Sequence, residues 1–164
     1  MADAYTSLAS TTLSSTAGSI TFSSIPGTYT DLLLVFRGTC HSSAMDVCYQ
    51  VNGDTGGNYG STFILNYGNS SSSGREASAT QGGIATFNDG AVGIGQLHFM
   101  NYSNTTTYKT ALSPLFGDTS YKTWSGSVTT WRSTAAITSI ALINLQSRLF
   151  SVGSTMTLYG IKAA

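Results

Sequence analysis

The sequence predicts an all-β domain, a jelly-roll-like antiparallel β-sandwich of about eight to ten strands. Three observations carry that expectation. Residues suited to a pleated, half-buried surface (Thr, Tyr, Phe, Ile and Val) are abundant. The 18 glycines lie among small polar residues that suit turns. Apolar residues alternate with polar ones in several short runs, the period of two that a strand with one buried face requires.

Taken in chain order, Ile20 and Phe22 alternate in SITFSS, and Pro26-Gly27 ends that strand. Leu32-Leu33-Leu34-Val35-Phe36 is apolar throughout, which predicts a strand covered on both faces, either in the sandwich centre or beneath a subunit neighbour. Val47, Tyr49 and Val51 form the next strand, closed by Asn52-Gly53, a pair that accepts positive φ cheaply. From Gly68 to Gly83 the stretch NSSSSGREASATQGG has little to bury, so a surface loop is expected. Val92, Ile94, Leu97 and Phe99 alternate with one change of phase. Trp124 and Trp131 flank SGSVTT in a strand-pair region, and the inner faces should take Trp131 and most phenylalanines. In RSTAAITSI the β-branched Thr134, Ile137 and Thr138 favour a strand over a helix. Ile137, Ile140, Leu142, Ile143 and Leu145 make a further apolar run, and Met156, Leu158 and Ile161 lie on the closing strand.

A chain of 164 residues is long enough to bury a two-layer core without disulfides or metals. It has no fixed-period repeat and no dividing linker, so residues 1–164 read as one domain, with 1–12 an N-terminal arm or edge strand. Seven basic and seven acidic side chains balance, and Lys109, Lys122 and Arg132 are scattered, which argues against a nucleic-acid partner. Only 9% of residues are charged, against roughly 25% in an ordinary soluble domain. Such a surface tends to self-associate, which points to a chain that works inside an assembly. MADAYTSLAS is no signal peptide, and no run approaches the roughly 20 apolar residues of a membrane span, so a cytosolic product without a membrane partner is expected. In that compartment Cys40 and Cys48 are expected as two buried thiols.

Residues suited to catalysis are present, but in no productive pattern. Cys40-His41 with Asp46 and Cys48 contains types that zinc accepts, yet the spacing matches no standard ligand set. No G-x-S-x-G turn presents a serine to His41 or His98, and His98 falls on the polar face of QLHFMNY. A carboxylate pair drawn from Asp31, Asp46, Asp54, Glu76, Asp89 and Asp118 need only meet in space. Asp54 and Asp118, however, sit in DTGG and GDTS, where a short carboxylate caps backbone N–H groups. NDGAVGIG and DTGGNYG lack the helix and lysine of a phosphate loop. The glycosylation-like triplets at Asn69, Asn101 and Asn104 are expected by chance in so Ser/Thr-rich a chain. No catalytic residue, metal or cofactor is therefore expected. The remaining candidates are Tyr59, Tyr67, Tyr102 and Tyr121, placed near turns where half-exposed rings with polar tips could form an interface.

SITFSSIPGTYTDLLL, VNGDTGGNYG, MNYSNTTTYKTALS, WRSTAAITSIALI and TLYGIK, in this order over nearly the whole chain, resemble a family of small structural proteins and domains of tailed bacteriophages. The resemblance implies a non-enzymatic virion component with a jelly-roll or β-sandwich fold, often a homotrimer. Its role would be capsid decoration (cement), with the major capsid protein as partner, or a fibre-type module. The start at Met1 and the end just after TLYGIK favour the capsid surface over the tail. The alternative is a tail-fibre or tail-tip head that recognises host saccharide. In the decoration role the N-terminal arm would lie along the shell, so that deleting the residues before Leu13 would abolish attachment.

Overall fold

The computed structural model describes residues 4–41, 45–87, 92–118, 123–145 and 148–162. Among them are thirteen strands and no α-helix: β1 (Tyr5–Thr12), β2 (Ser19–Phe22), β3 (Asp31–His41), β4 (Met45–Val51), β5 (Tyr59–Tyr67), β6 (Ser70–Ala79), β7 (Gly82–Phe87), β8 (Val92–Met100), β9 (Lys109–Asp118), β10 (Thr123–Trp131), β11 (Ile140–Asn144), β12 (Leu149–Phe150) and β13 (Thr155–Ile161). The larger sheet runs β1-β13-β3-β8-β9-β10-β5-β6, with the short β12 also paired to β3, and the smaller runs β2-β11-β4-β7.

Every pairing is antiparallel, and four of them are nested: β1 with β13, β2 with β11, β3 with β8 and β4 with β7. Nested pairs are what one long hairpin produces when it rolls up and alternate strands fall into opposite sheets, the arrangement of a jelly roll. Eight strands make that roll. The β5–β6 hairpin is inserted between β4 and β7, and the β9–β10 hairpin between β8 and β11. Both add to the β8 edge of the larger sheet, and with β12 they account for the excess over the eight to ten strands expected.

The two sheets close on Ile20, Phe22, Leu32, Leu34, Phe36, Val47, Tyr49, Val51, Leu97, Phe99, Leu142, Met156 and Leu158, all buried. Alternation along each strand puts these side chains on the inner faces. Trp131 and four phenylalanines, Phe22, Phe36, Phe99 and Phe150, are inside as expected. Tyr49 packs edge-on against Phe99 at 5.3 Å and Tyr59 at 6.2 Å, the T-shaped geometry that ring quadrupoles prefer. Asn52 and Gly53, at φ 53° and 66°, form the tight turn after β4. The Asp54 carboxylate accepts from Gly56 N, Asn58 Nδ2 and Trp131 Nε1, so it caps the turn as its sequence context predicts.

Several expectations need correction. The stretch 68–83 is not a loop: it holds β6, a polar strand at the edge of the larger sheet whose side chains are nearly all exposed. Its composition reflects exposure, not irregular backbone. RSTAAITSI is not a strand before Ile140, because the Asn52 carboxamide accepts from Thr138 N and Ser139 N and donates to Ala136 O, pinning the segment as a loop. β3 alternates: Leu32, Leu34 and Phe36 are buried while Leu33 and Val35 are half-buried. β8 keeps one phase throughout, with Gly93, Gly95, Leu97 and Phe99 inward and Ile94 outward. Glycine occupies the inner position at 95 because a Cβ there would meet the Phe36 ring at 2.5 Å. Of the two forms expected for residues 1–12, arm or edge strand, residues 5–12 take the second: they pair to β13, with Leu8 and Ala9 packed on the core.

Candidate functional site

Ladder register decides which side chains share a face, because residues directly opposite on neighbouring strands point the same way. Across β8, β9 and β10 it aligns Ile94, Phe116 and Trp124 in one row. Two residues along each strand, Pro114, Gly126 and Ile64 form the next row, and beyond it Leu112 and Val128 lie between His98 and Thr62. Ile64, Ile94, Leu112, Phe116, Trp124 and Val128 are each 38–56% exposed. A Cβ at Gly126 would meet the Trp124 indole at 3.4 Å, so the ring lies over this glycine and flattens the surface.

These rows hold no Asp, Glu, Lys or Arg. The nearest charged positions in register are Arg37, opposite Ile94, and Arg75, opposite Thr62, one at each side of the patch. His98, in the Leu112–Val128 row, is held by Asp31: Nε2 lies 3.2 Å from Oδ2, while Oδ1 accepts Asn101 N at 2.8 Å. An apolar or aromatic side chain of this size carries roughly 150–250 Å², so six of them about half exposed present on the order of 500 Å². That is about the size of the largest apolar patch on a typical monomer, and such patches are often functional.

The inward face of the same strands has the opposite chemistry. Ser61, Ser113, Thr123, Ser125, Ser127 and Thr129 are buried. Ser127 Oγ donates to Gly83 O at 3.0 Å, so in its 2.6 Å contact with Ser113 Oγ it is the acceptor. Ser61 and Thr129 share a further hydrogen bond at 2.9 Å. Small hydroxyl side chains that satisfy one another let β7 of the smaller sheet approach closely, at the position of Gly82 and Gly83. Over Thr123–Thr129 β10 is therefore polar inside, with Trp124 and Val128 outside, the reverse of an ordinary sandwich strand, while Tyr59, Ala111, Leu115 and Trp131 of the same hairpins are buried in the core. Leaving large apolar groups in water while hydroxyls occupy the interior is the pattern of a face that becomes covered in an assembly.

The tyrosines proposed from the sequence do not form this surface. Tyr59 and Tyr102 are buried, at 0% exposure. The Tyr59 hydroxyl accepts from Val51 N at 3.0 Å and donates to Asp54 O at 3.1 Å, and that of Tyr102 donates to Pro26 O, so each polar tip finds a backbone partner inside the fold. Burial pushes the Tyr59 hydroxyl up to about 12. The Tyr67 side chain and all of Tyr121 lie outside the described residues, as do the Cys40 side chain and Asp89. Cys48 is buried and His41 exposed. Among the described residues no three His, Cys, Asp or Glu side chains group as metal ligands. The signal for the true surface was present in TWSGSVTTW, where Trp and Val alternate with Ser and Thr. Period two marks the two faces without saying which is inside.

No protein-family model, curated protein or solved structure matches the chain. The functional reading therefore starts from the jelly roll and its apolar outer face.

Proposed function

We propose that this chain is a non-enzymatic structural protein that acts as an oligomer, a homotrimeric capsid decoration (cement) protein of a tailed bacteriophage that braces the shell. The apolar outer face of β8, β9, β10 and β5 is the observation that carries the assembly part of this reading. A standard interface takes about 800 Å² from each partner, a little over half of it apolar, so the exposed apolar area here is about what one partner needs. No Asp, Glu, Lys or Arg stands between the apolar side chains, and Arg37 and Arg75 flank the patch on either side. The virion part rests on the resemblance in sequence, together with the jelly-roll topology it implied.

In this reading three copies bring their apolar faces toward a threefold axis, each covered by its two neighbours. The trimer then grips several major capsid protein subunits at once. Each contact can be weak, because linked contacts raise effective concentration and hence avidity. The protein is made in the host cytoplasm and ends on the capsid surface. Recognition of host saccharide as the main role loses two of its candidate residues with the burial of Tyr59 and Tyr102. Two measurements test the proposal: solution mass of the purified chain by light scattering, and its copy number per virion against the major capsid protein. A trimer present at high copy number is expected. A monomer at all concentrations overturns the assembly reading, and absence from virions overturns the virion reading.

A further inference from the structure

We infer that Asn52 is a deamidation site of this protein and that the loop 132–139 is the gate that controls its reaction. The inference rests on the turn after β4 and does not depend on the assembly reading.

The local backbone dictates the pair. Asn52 and Gly53 lie at φ 53° and 66°, both in the left-handed region, where asparagine and glycine are the residues of lowest cost. A Cβ at Gly53 would meet nothing within 4 Å, so conformation and not space selects glycine. Asn52-Gly53 is also the one Asn-Gly pair in the sequence. With no side chain on the following residue, nothing hinders its nitrogen from approaching the asparagine carboxamide. In the reaction the Gly53 nitrogen attacks Asn52 Cγ and closes a succinimide ring. The Gly53 N–H proton passes through solvent to Nδ2, whose bond to Cγ breaks, and ammonia leaves. Water then opens the ring at either carbonyl to give aspartate or isoaspartate.

The fold holds the carboxamide away from that course. Nδ2 donates to Ala136 O at 2.8 Å, and Oδ1 accepts from Thr138 N at 2.8 Å, Ser139 N at 3.1 Å and Thr138 Oγ1 at 3.2 Å. The Asn52 N–H donates to Ser139 O at 3.0 Å, so one loop clamps both the backbone and the side chain of this residue. That loop is itself anchored: Ile137 is buried, and its N–H donates to Tyr102 O at 3.0 Å. Turning Cγ toward the Gly53 nitrogen breaks the side-chain bonds, so the reaction waits for a local opening of the loop. Each hydrogen bond favours the closed state roughly 2- to 10-fold, and an opening that breaks the three shortest slows the reaction on the order of 100-fold. The product does not restore the clamp. A carboxylate has no donor for Ala136 O and sets oxygen against oxygen there, so each event loosens the loop irreversibly.

The test is peptide mapping by mass spectrometry on the full chain held at mildly alkaline pH, folded and in guanidinium chloride, with product at position 52 followed over time. The folded rate should lie on the order of 100-fold below the denatured one. Thr138→Gly removes one donor to Oδ1 and loosens the loop, and Thr138 is exposed, so this variant keeps its fold. It should speed the folded reaction about fivefold or more and leave the denatured rate unchanged. Gly95→Ala, whose added methyl meets Phe36 and Leu115 and none of these groups, should leave the folded rate unchanged. Absence of product at position 52 in denaturant overturns the site. A folded rate equal to the denatured one overturns the gate, and so does a faster one, which would make the Oδ1 donors an oxyanion hole. Thr138→Gly without effect, or Gly95→Ala accelerating the reaction as much, also overturns the gate, since the route would then be global unfolding.

Discussion

Replacing Phe116 with threonine should dissolve the oligomer and leave the protomer folded. Phe116 is 56% exposed in the protomer, on β9 between Ile94 and Trp124. With roughly 200 Å² on a phenylalanine side chain, about 110 Å² of apolar surface remains to be covered by a neighbour. At about 25 cal/mol per Å² that is about 2–3 kcal/mol for each copy, or on the order of 100-fold in the association constant of each contact. The cost to the protomer is smaller. Threonine suits a strand, and the cross-strand contacts with Ile94 and Trp124 contribute only about 0.2–1 kcal/mol each. Sedimentation equilibrium over a wide concentration range should show the variant as a monomer where the parent is assembled. Urea unfolding should be compared at concentrations where both are monomeric, because assembly itself raises apparent stability by mass action. An unchanged mass distribution for Phe116→Thr and for Val128→Thr would refute the reasoning. A large loss of protomer stability would show instead that these side chains hold the fold.

Other consequences concern the fold and its pH range. Burial alone would raise the Asp54 pKa, but hydrogen bonds from Trp131, Asn58 and Gly56 N–H outweigh it and hold the carboxyl below its ordinary 3.8. With the folded value depressed, the stabilisation is full above pH 3.8 and is lost as pH falls through the lower folded value, so Asp54→Asn should remove that acid branch from a stability-versus-pH curve. At the alkaline end burial raises Tyr49, Tyr59 and Tyr102. Their stabilisation is complete below about pH 10 and lost as pH rises through the raised folded values, and these three tyrosines should ionise late in an ultraviolet titration and normally in denaturant. Gly95→Ala should cost about 1–3 kcal/mol in urea unfolding, because the new methyl meets Phe36 and, at 3.0 Å, Leu115. Deleting residues 1–12 strips an edge strand and removes Leu8 and Ala9 from their packing on the core, so circular dichroism should report a damaged sandwich in place of the clean loss of shell attachment that a free arm would give.

The class of fold was readable from the sequence because its signals are local. Alternation in SITFSS and in Val47–Tyr49–Val51, and the Asn52-Gly53 turn, each depend on a few neighbouring residues. What failed were readings that treated polarity as a report on backbone shape. Ser70–Ala79 is polar because it is an edge strand in water, and a strand whose two faces are both solvated shows no hydrophobic period. Conversely Thr134–Ser139 has strand-forming residues, but Asn52, distant in sequence, takes its backbone hydrogen bonds. β8 invited a false change of phase because glycines at 93 and 95 stand where apolar side chains would ordinarily mark the inner face.

The apolar outer face was hidden for a related reason, and the same residues show how far sequence reasoning can go. Trp124, Gly126 and Val128 alternate with Ser125, Ser127, Thr129 and Trp131, so each face of β10 carries one tryptophan and hydrophobicity alone does not say which face is inner. The assignment follows once topology is known, since β10 lies among the strands added to one edge of the roll, where Ser127 on its inner side meets the backbone of Gly83. An apolar side chain in place of Ser127 would have to displace β7, and a polar one in place of Val128 would cost the protomer little. Folding alone therefore does not require Val128, Phe116 and Ile94 to be apolar together, and in the proposed assembly their shared face is the surface that a neighbouring copy covers.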